Sequence, residues 1–147
     1  MIVERILPAA SNRLITISDD APLIAAAALL RELDTELIVV RDREGMLSGV
    51  VTKTDVVRQI SHCRGASCTA AASAVMTKAV VCCHPSDLLR DVWSLMRERH
   101  LKNIPVLDQR SRPIGVLNAR DVLAALLEEA EYEEDLLREY IMCVGYH

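Results

Sequence analysis

The stretch Gly49-Val50-Val51-Thr52-Lys53-Thr54-Asp55-Val56 decides the fold, because it recurs 66 residues later as Gly115-Val116-Leu117-Asn118-Ala119-Arg120-Asp121-Val122. Working outward at the same offset, Leu23 meets Leu89, Leu29 meets Leu95, and Arg31-Glu32 meets Arg97-Glu98. Ile38 meets Ile104, Val40 meets Val106 and Asp42 meets Asp108, and no gap is needed between Ile15 and Val57. So many matches in one register mark a duplicated unit of roughly 50–60 residues.

Each copy reads the same way. A short extended segment opens it, Leu14-Ile15-Thr16-Ile17 or Ala79-Val80-Val81-Cys82-Cys83. A helix follows, predicted to start at Asp20 with Pro22 in its first turn, or at Ser86 with Asp87 in its first turn. Its apolar stripe is Leu23, Ala26/Ala27, Leu30, Leu33 in one copy and Leu89, Val92/Trp93, Met96 in the other, at helical spacing. The continuous apolar runs Leu37-Ile38-Val39-Val40 and Ile104-Pro105-Val106-Leu107 predict strands buried on both faces. Turns at Asp42-Arg43-Glu44-Gly45 and Asp108-Gln109-Arg110-Ser111 lead to strands Leu47–Val51 and Pro113–Leu117, and second helices begin near Thr52 and Asn118. The expected class is mixed α/β (α+β): two pseudo-twofold β-α-β-β-α repeats plus a C-terminal helical extension. By chain order, residues 1–62 form the first repeat, 63–73 a linker, 74–127 the second repeat, and 128–147 an acidic helix, running to about Tyr140, with an apolar tail.

Composition narrows the function. The 147 residues are 51% hydrophobic and 26% charged, as in a folded protein. No run approaches the ~18–20 apolar residues of a membrane helix, and Met1–Pro8 lacks the basic and apolar regions of a signal peptide. A cytoplasmic location, with no membrane partner, is expected. Aromatics are 3%, namely Trp93, Tyr132, Tyr140 and Tyr146, too few to stack single-stranded nucleic acid. The net charge of −4 is concentrated in residues 128–139, which hold seven acids and one Arg, so the body is near neutral and its charge says little about what it binds. Cys63, Cys68, Cys82, Cys83 and Cys143 form an odd set without secreted-scaffold spacing, which reads as reduced thiols.

The repeated Gly-Val-aliphatic-(Thr/Asn)-x-x-Asp carries two readings. As local structure, Thr52-x-x-Asp55 and Asn118-x-x-Asp121 are helix N-caps with an acid in the first turn. As a site, a carboxylate at a helix mouth accepts hydroxyl hydrogen bonds from a ribose, while the helix-start N–H groups favour an anion. Duplication would bring two such mouths to one cleft.

These features together resemble a tandem pair of CBS domains (the cystathionine-β-synthase regulatory repeat, or Bateman module). The likeness extends from about Ile6 to Leu127 and rests on the β-α-β-β-α order, the Ile104-Pro105-Val106-Leu107-Asp108 strand and the Gly-x-x-(Ser/Thr)-x-x-Asp motif. It implies a regulatory module without catalysis or a required cofactor. Between its repeats such a module binds an adenine nucleotide (AMP, ADP or ATP) or another adenosine ligand such as NAD or S-adenosylmethionine. It also implies pairing into a flat homodimer and an unidentified regulated protein.

Carried over by position, the first site takes Thr52 and Asp55 for the ribose, Val50 on the adjacent strand, and Lys78, Val80, Lys102, Asn103 and Ile104 from the partner repeat around the base, with Lys102 facing phosphate. The second takes Val116, Arg120 and Asp121, with Asn118 where Ser or Thr is usual and Arg120 facing phosphate. Its partner positions are Thr35, Glu36 and Leu37, and a carboxylate at Glu36 opposes a phosphate unless a cation offsets it. The first site is the better match. The alternative function is an assembly scaffold with vestigial clefts, joined through its C-terminal helix.

Other features favour plain structure. Cys82-Cys83-His84 and His62-Cys63-x4-Cys68 lack paired zinc spacing, and adjacent cysteines form a strained disulfide. Neither a metal site nor a nucleophile or phosphate-loop motif is expected. His100 is expected to end a helix, where a cation complements the dipole.

Overall fold

Two apolar strands organise the chain, Leu37–Arg41 (β2) and Asn103–Leu107 (β4), each buried at four successive positions. The computed structural model describes residues 1–33, 35–61 and 70–145, with 143–145 as backbone only. In the first repeat Thr16–Ser18 (β1) pairs parallel with β2, and β2 pairs antiparallel with Leu47–Thr52 (β3). In the second, β4 pairs antiparallel with Pro113–Asn118 (β5). The registers match: Val39 faces Val50 as Pro105 faces Val116.

Double burial follows from side-chain alternation. Ile38 and Val40 face the first repeat's core with Leu23, Ala26 and Leu30 of helix Leu23–Glu32, while Leu37 and Val39 join Val50 and Val116 in a cluster shared by both repeats. The second repeat buries Ile104 and Val106 against Leu89, Val92 and Met96 of helix Leu89–Glu98.

The strand expected at Ala79–Cys83 is not formed: a single bridge joins Cys83 to Val106. Proline explains the loss. In the first repeat the Val39 N–H donates to the Ile15 carbonyl at 2.9 Å. Pro105 holds the matching position and has no N–H to give.

The expected helix starts are also displaced. Asp20 accepts a bond from the Ser18 hydroxyl, Asp87 beside the expected start Ser86 accepts one from the His84 N–H, and the helices begin instead after Pro22 and Leu88, with no side-chain cap. The caps come instead from exchanged backbone. The N-terminal segment, a 3-10 turn at Val3–Ile6 and helix α1 (Leu7–Asn12), packs on the second repeat, with Val3 and Ala10 in its core. Its Met1 carbonyl accepts the first N–H of the second repeat's helix, from Leu89 at 3.0 Å. Reciprocally, Ala70 accepts from Leu23 at 2.7 Å, and Ala72 lies in the first repeat's core. With α1 named, the helices in chain order are α2 (Leu23–Glu32), α3 (Lys53–Ser61), α4 (Ala72–Val75), α5 (Leu89–Glu98) and α6 (Ala119–Gly145).

Chain order and packing therefore divide the molecule differently. Each repeat is completed by the segment that precedes the other. Residues 70–73 of the expected linker belong to the first repeat's packing, and the rest of it, with Cys63 and Cys68, lies outside the described residues.

The repeated glycine exists for this exchange. A Cβ on Gly49 would stand 2.7 Å from the Thr77 carbonyl oxygen, and one on Gly115 would stand 3.0 Å from Ala10. The turns are matched too: Asp42 and Asp108 each accept two backbone N–H groups, and the residue at the left-handed position is Gly45 in one copy and Ser111 (φ 61°) in the other. The N–H groups of Arg112 and Arg110 hold the Asp108 carboxyl below its ordinary value.

Helix α6 spans 27 residues, ~40 Å at 1.5 Å per residue, and continues five residues past the expected end near Tyr140. Beyond the body it exposes Tyr132, Leu136, Leu137, Tyr140 and Ile141. No described helix is long and apolar enough to cross a membrane.

Urea denaturation tests the two backbone arguments. Gly49→Ala is expected to cost ~1–3 kcal/mol because backbone must move to admit the methyl. Ser111→Gly is expected to stabilise by ~0.5–1 kcal/mol, since relief of left-handed strain exceeds glycine's added chain entropy. A neutral Gly49→Ala would mean that the exchanged segment does not lie against β3.

Candidate functional site

Where β3 runs into α3, Thr52 and Asp55 form a reciprocal cap. The Thr52 N–H donates to Asp55 Oδ2 at 2.9 Å, and the Asp55 N–H donates to Thr52 Oγ1 at 3.3 Å. The Thr52 hydroxyl donates to Asp55 Oδ2 at 3.1 Å, and Thr77, from the exchanged segment, donates its hydroxyl to Asp55 Oδ1 at 3.1 Å. Asp55 is 5% exposed and lies behind the cleft. Its carboxylate holds the hydroxyls of Thr52 and Thr77, two residues that line the cleft.

That first cleft has a volume near 540 Å³, with Val50, Thr52, Thr77, Val80, Lys102 and Asn103 on its walls. Both threonine hydroxyls donate to Asp55, and the Thr52 oxygen also accepts the Asp55 N–H, so what remains on the two oxygens is acceptor capacity, which suits ligand donors such as ribose hydroxyls or an amine. His100 also lines it. It holds φ 54° and follows α5 in a Schellman arrangement, with the Leu101 N–H on the Met96 carbonyl at 2.9 Å. It thus terminates the helix as expected, through backbone geometry.

The second cleft, at the β5–α6 junction, is of similar size, about 590 Å³. Here the pattern departs from the first. Asn118 Oδ1 accepts the Arg120 N–H at 2.9 Å, and the Asn118 amide donates to Asn103 Oδ1 at 3.1 Å. Asp121 turns instead to Arg13, accepting from Nε at 2.6 Å and from Nη2 at 3.2 Å. The Asp121 carboxylate holds the Arg13 pKa above its ordinary value. Val116, Asn118, Arg120, Lys102, Asn103 and Arg13 line this cleft; Asp121 does not.

Glu36, Leu37, Lys102 and Asn103 line both clefts and form their shared wall. Asn103 spans it, giving its amide to Glu36 at 3.5 Å while accepting from Asn118. Of the twelve positions expected from sequence, Val50, Thr52, Val80, Lys102 and Asn103 come together in the first cleft, and Val116, Asn118, Arg120, Lys102 and Asn103 in the second. Lys78 lines neither, and the Ile104 side chain is wholly within the second repeat's core. Thr77 and Arg13 were not legible as site residues in isolation. The 66-residue offset was the available signal for Arg13, since it carries Lys78-Ala79-Val80 back onto Asn12-Arg13-Leu14.

The cysteines offer little chemistry here. Burial raises the Cys82 thiol and, with the nearby Asp87, pushes Cys83 up to about 12. Among the described residues, no three His, Cys, Asp or Glu side chains cluster as metal ligands do.

Comparison with known proteins identifies the family and supports the fold. The CBS domain family matches residues 3–62 and 72–128, and the chain belongs to that family. A CBS-domain containing protein from Agrobacterium tumefaciens is 25% identical, covering 85% of this chain and 98% of its own, with a TM-score of 0.72. A CBS domain pair in complex with 5′-methylthioadenosine and S-adenosyl-L-methionine is 20% identical, covering 88% of this chain and 98% of its own, with a TM-score of 0.72. The inosine-5′-monophosphate dehydrogenase of Methanocaldococcus jannaschii is 29% identical over 109 residues, 74% of this chain. The chain spans about a fifth to a quarter of the length of the curated relatives it matches.

The two carboxylates should respond differently to removal. Asp55→Ala strands buried donors and is expected to lower unfolding free energy by ~1–3 kcal/mol, against ~1 kcal/mol or less for Asp121→Ala in its partly exposed pair. Equal losses in chemical denaturation would contradict the distinction.

Proposed function

We propose that this chain is a regulatory module that binds an adenosine-containing ligand between its two CBS repeats and has no catalytic activity of its own. One observation carries the reading: two threonines, their hydroxyls tied to a buried carboxylate, line a cleft with apolar walls at Val50 and Val80 and a cation at Lys102. Acceptors suit ribose hydroxyls, apolar walls suit a purine, and Lys102 suits phosphate. The volume falls in the ~300–1,000 Å³ range of small-molecule sites. The adenosine ligands of the related pair support the same class, which includes AMP, ADP, ATP, NAD and S-adenosylmethionine, with no separate cofactor required.

Such a ligand contacts both repeats and regulates through its differential affinity for their arrangements. In this reading the module works in the cytoplasm as a homodimer, on a regulated protein yet to be identified. A second reading, an assembly scaffold, is favoured by the exposed apolar residues of α6.

Thermal unfolding with a panel of these ligands tests the proposal. A ligand at a hundred times its Kd is expected to stabilise by about 2.7 kcal/mol, a shift of several degrees, and Thr77→Val is expected to remove most of it. No shift with any adenosine ligand, together with dissociation of an oligomer on removal of residues 128–147, would favour the scaffold.

A further inference from the structure

Helix α6 carries a pattern that the clefts do not use. One face is covered: Val122 and Ala125 lie in the second repeat's core, with Leu126 packed against it. Another face is open along its length. Leu123, Leu127, Ala130, Glu134, Leu137 and Ile141 follow one another at spacings of four, three, four, three and four. That is the alternation of core positions a and d in a coiled coil. All six are exposed in the single chain, and Leu127, Leu137 and Ile141 are each more than half exposed. The family match ends at residue 128, so most of this seam lies outside the repeats.

The arrangement of charge selects the occupant. Residues 128–139 sum to −6, yet the seam itself holds one acid, Glu134 at an a position. That carboxylate is ion-paired with Arg138 of the same helix at 2.7 Å. Glu128, Glu129, Asp135 and Glu139 fall on the outward heptad positions b, c and f, away from any second helix on the seam. The flanking positions e and g decide pairing. In two parallel copies, Glu133 at g of each helix faces Arg138 at e of the other, opposite charges matched twice by symmetry. Glu131 at e faces Leu126 at g, so no like charges meet on either flank. A basic partner would be met best by acids on both flanks, where this helix has Arg138 and Tyr140 instead. The start of α6 is fixed on the body by Val122 and Ala125, so the helix is ordered before it associates.

We propose that α6 is a self-recognition helix: two copies of this chain join along the seam as a parallel two-stranded coiled coil, with Glu133 of each bonded to Arg138 of the other. Glu134 sets the register, as a lone polar residue at an a position does, at a cost in affinity. This goes beyond the function proposed above, since it states where the homodimer joins and is independent of what the clefts bind.

Sedimentation equilibrium of the full chain tests the seam, and a concentration-dependent monomer–dimer equilibrium is expected. Leu137→Glu is expected to weaken dimerisation by at least about tenfold, as withdrawing one buried leucine from each chain does. Leu136→Glu, one residue away and also exposed but off the seam, is expected to change it by less than about twofold. Glu134→Leu is expected to strengthen it by about tenfold. Arg138→Glu is expected to weaken it several-fold, and adding Glu133→Arg to restore it. Residues five apart on one helix do not meet, so restoration reports a contact between chains. All these side chains are exposed, so none of the substitutions disturbs the packed body. A chain that stays monomeric at every concentration, or a dimer that ignores Leu137→Glu or responds equally to Leu136→Glu, would overturn the seam. Weakening by Arg138→Glu without restoration would overturn the parallel register. The ligand reading is scored separately. A monomer whose thermal unfolding still responds to adenosine ligands removes the seam and leaves that reading, and a Leu137-dependent dimer with no such response does the reverse.

Discussion

Everything in this molecule depends on a reciprocal exchange of backbone. The carbonyl of Met1 accepts the first N–H of α5, and that of Ala70 accepts the first N–H of α2. A helix start has four N–H groups without intrahelical partners, and burying them unpaired is expensive. Neither repeat supplies a side-chain cap at this point, so each borrows a carbonyl from the segment leading into the other. The halves are thereby tied together by obligatory hydrogen bonds as well as by the apolar cluster of Leu37, Val39, Val50 and Val116. The same exchange delivers Thr77 to the first cleft and Arg13 to the second.

Function follows from that placement. The carboxylate of each repeated motif is tied to the residue the exchange supplies: Asp55 to Thr77, Asp121 to Arg13. A neutral hydroxyl keeps the first carboxylate buried and turns nearby oxygens into acceptors. A guanidinium leaves the second partly exposed and adds positive charge to the cleft. The two clefts are therefore of like size, with the motif carboxylate beside each tied to a different partner. Glu36 and Lys102, related by the repeat offset and of opposite charge, stand on the wall between them.

The duplication was legible because it fixes local pattern, and local pattern is what sequence reports. The antiparallel strand pairings and the cap formed by Thr52 and Asp55 follow from neighbours in the chain, and the unbroken apolar run Leu37–Val40 announces burial on both faces without saying that the other repeat's Val116 supplies part of it. What escaped is non-local. The missing strand beside β4 results from Pro105, whose effect shows only when its would-be partner is known. The helix caps come from carbonyls, which every residue has and no side chain announces. Asp55 was legible as a site residue, but its burial behind Thr52 and Thr77 depends on a segment 22 positions away.

The most direct test of a ligand held between the repeats is the methyl NMR spectrum of the full chain during titration with ATP. The account expects the Val50, Val80 and Val116 methyls, which line the clefts, to shift in a saturable way while those of Leu136 and Leu137 on the α6 overhang stay in place. Unmoved cleft methyls, or shifts confined to α6, would contradict it.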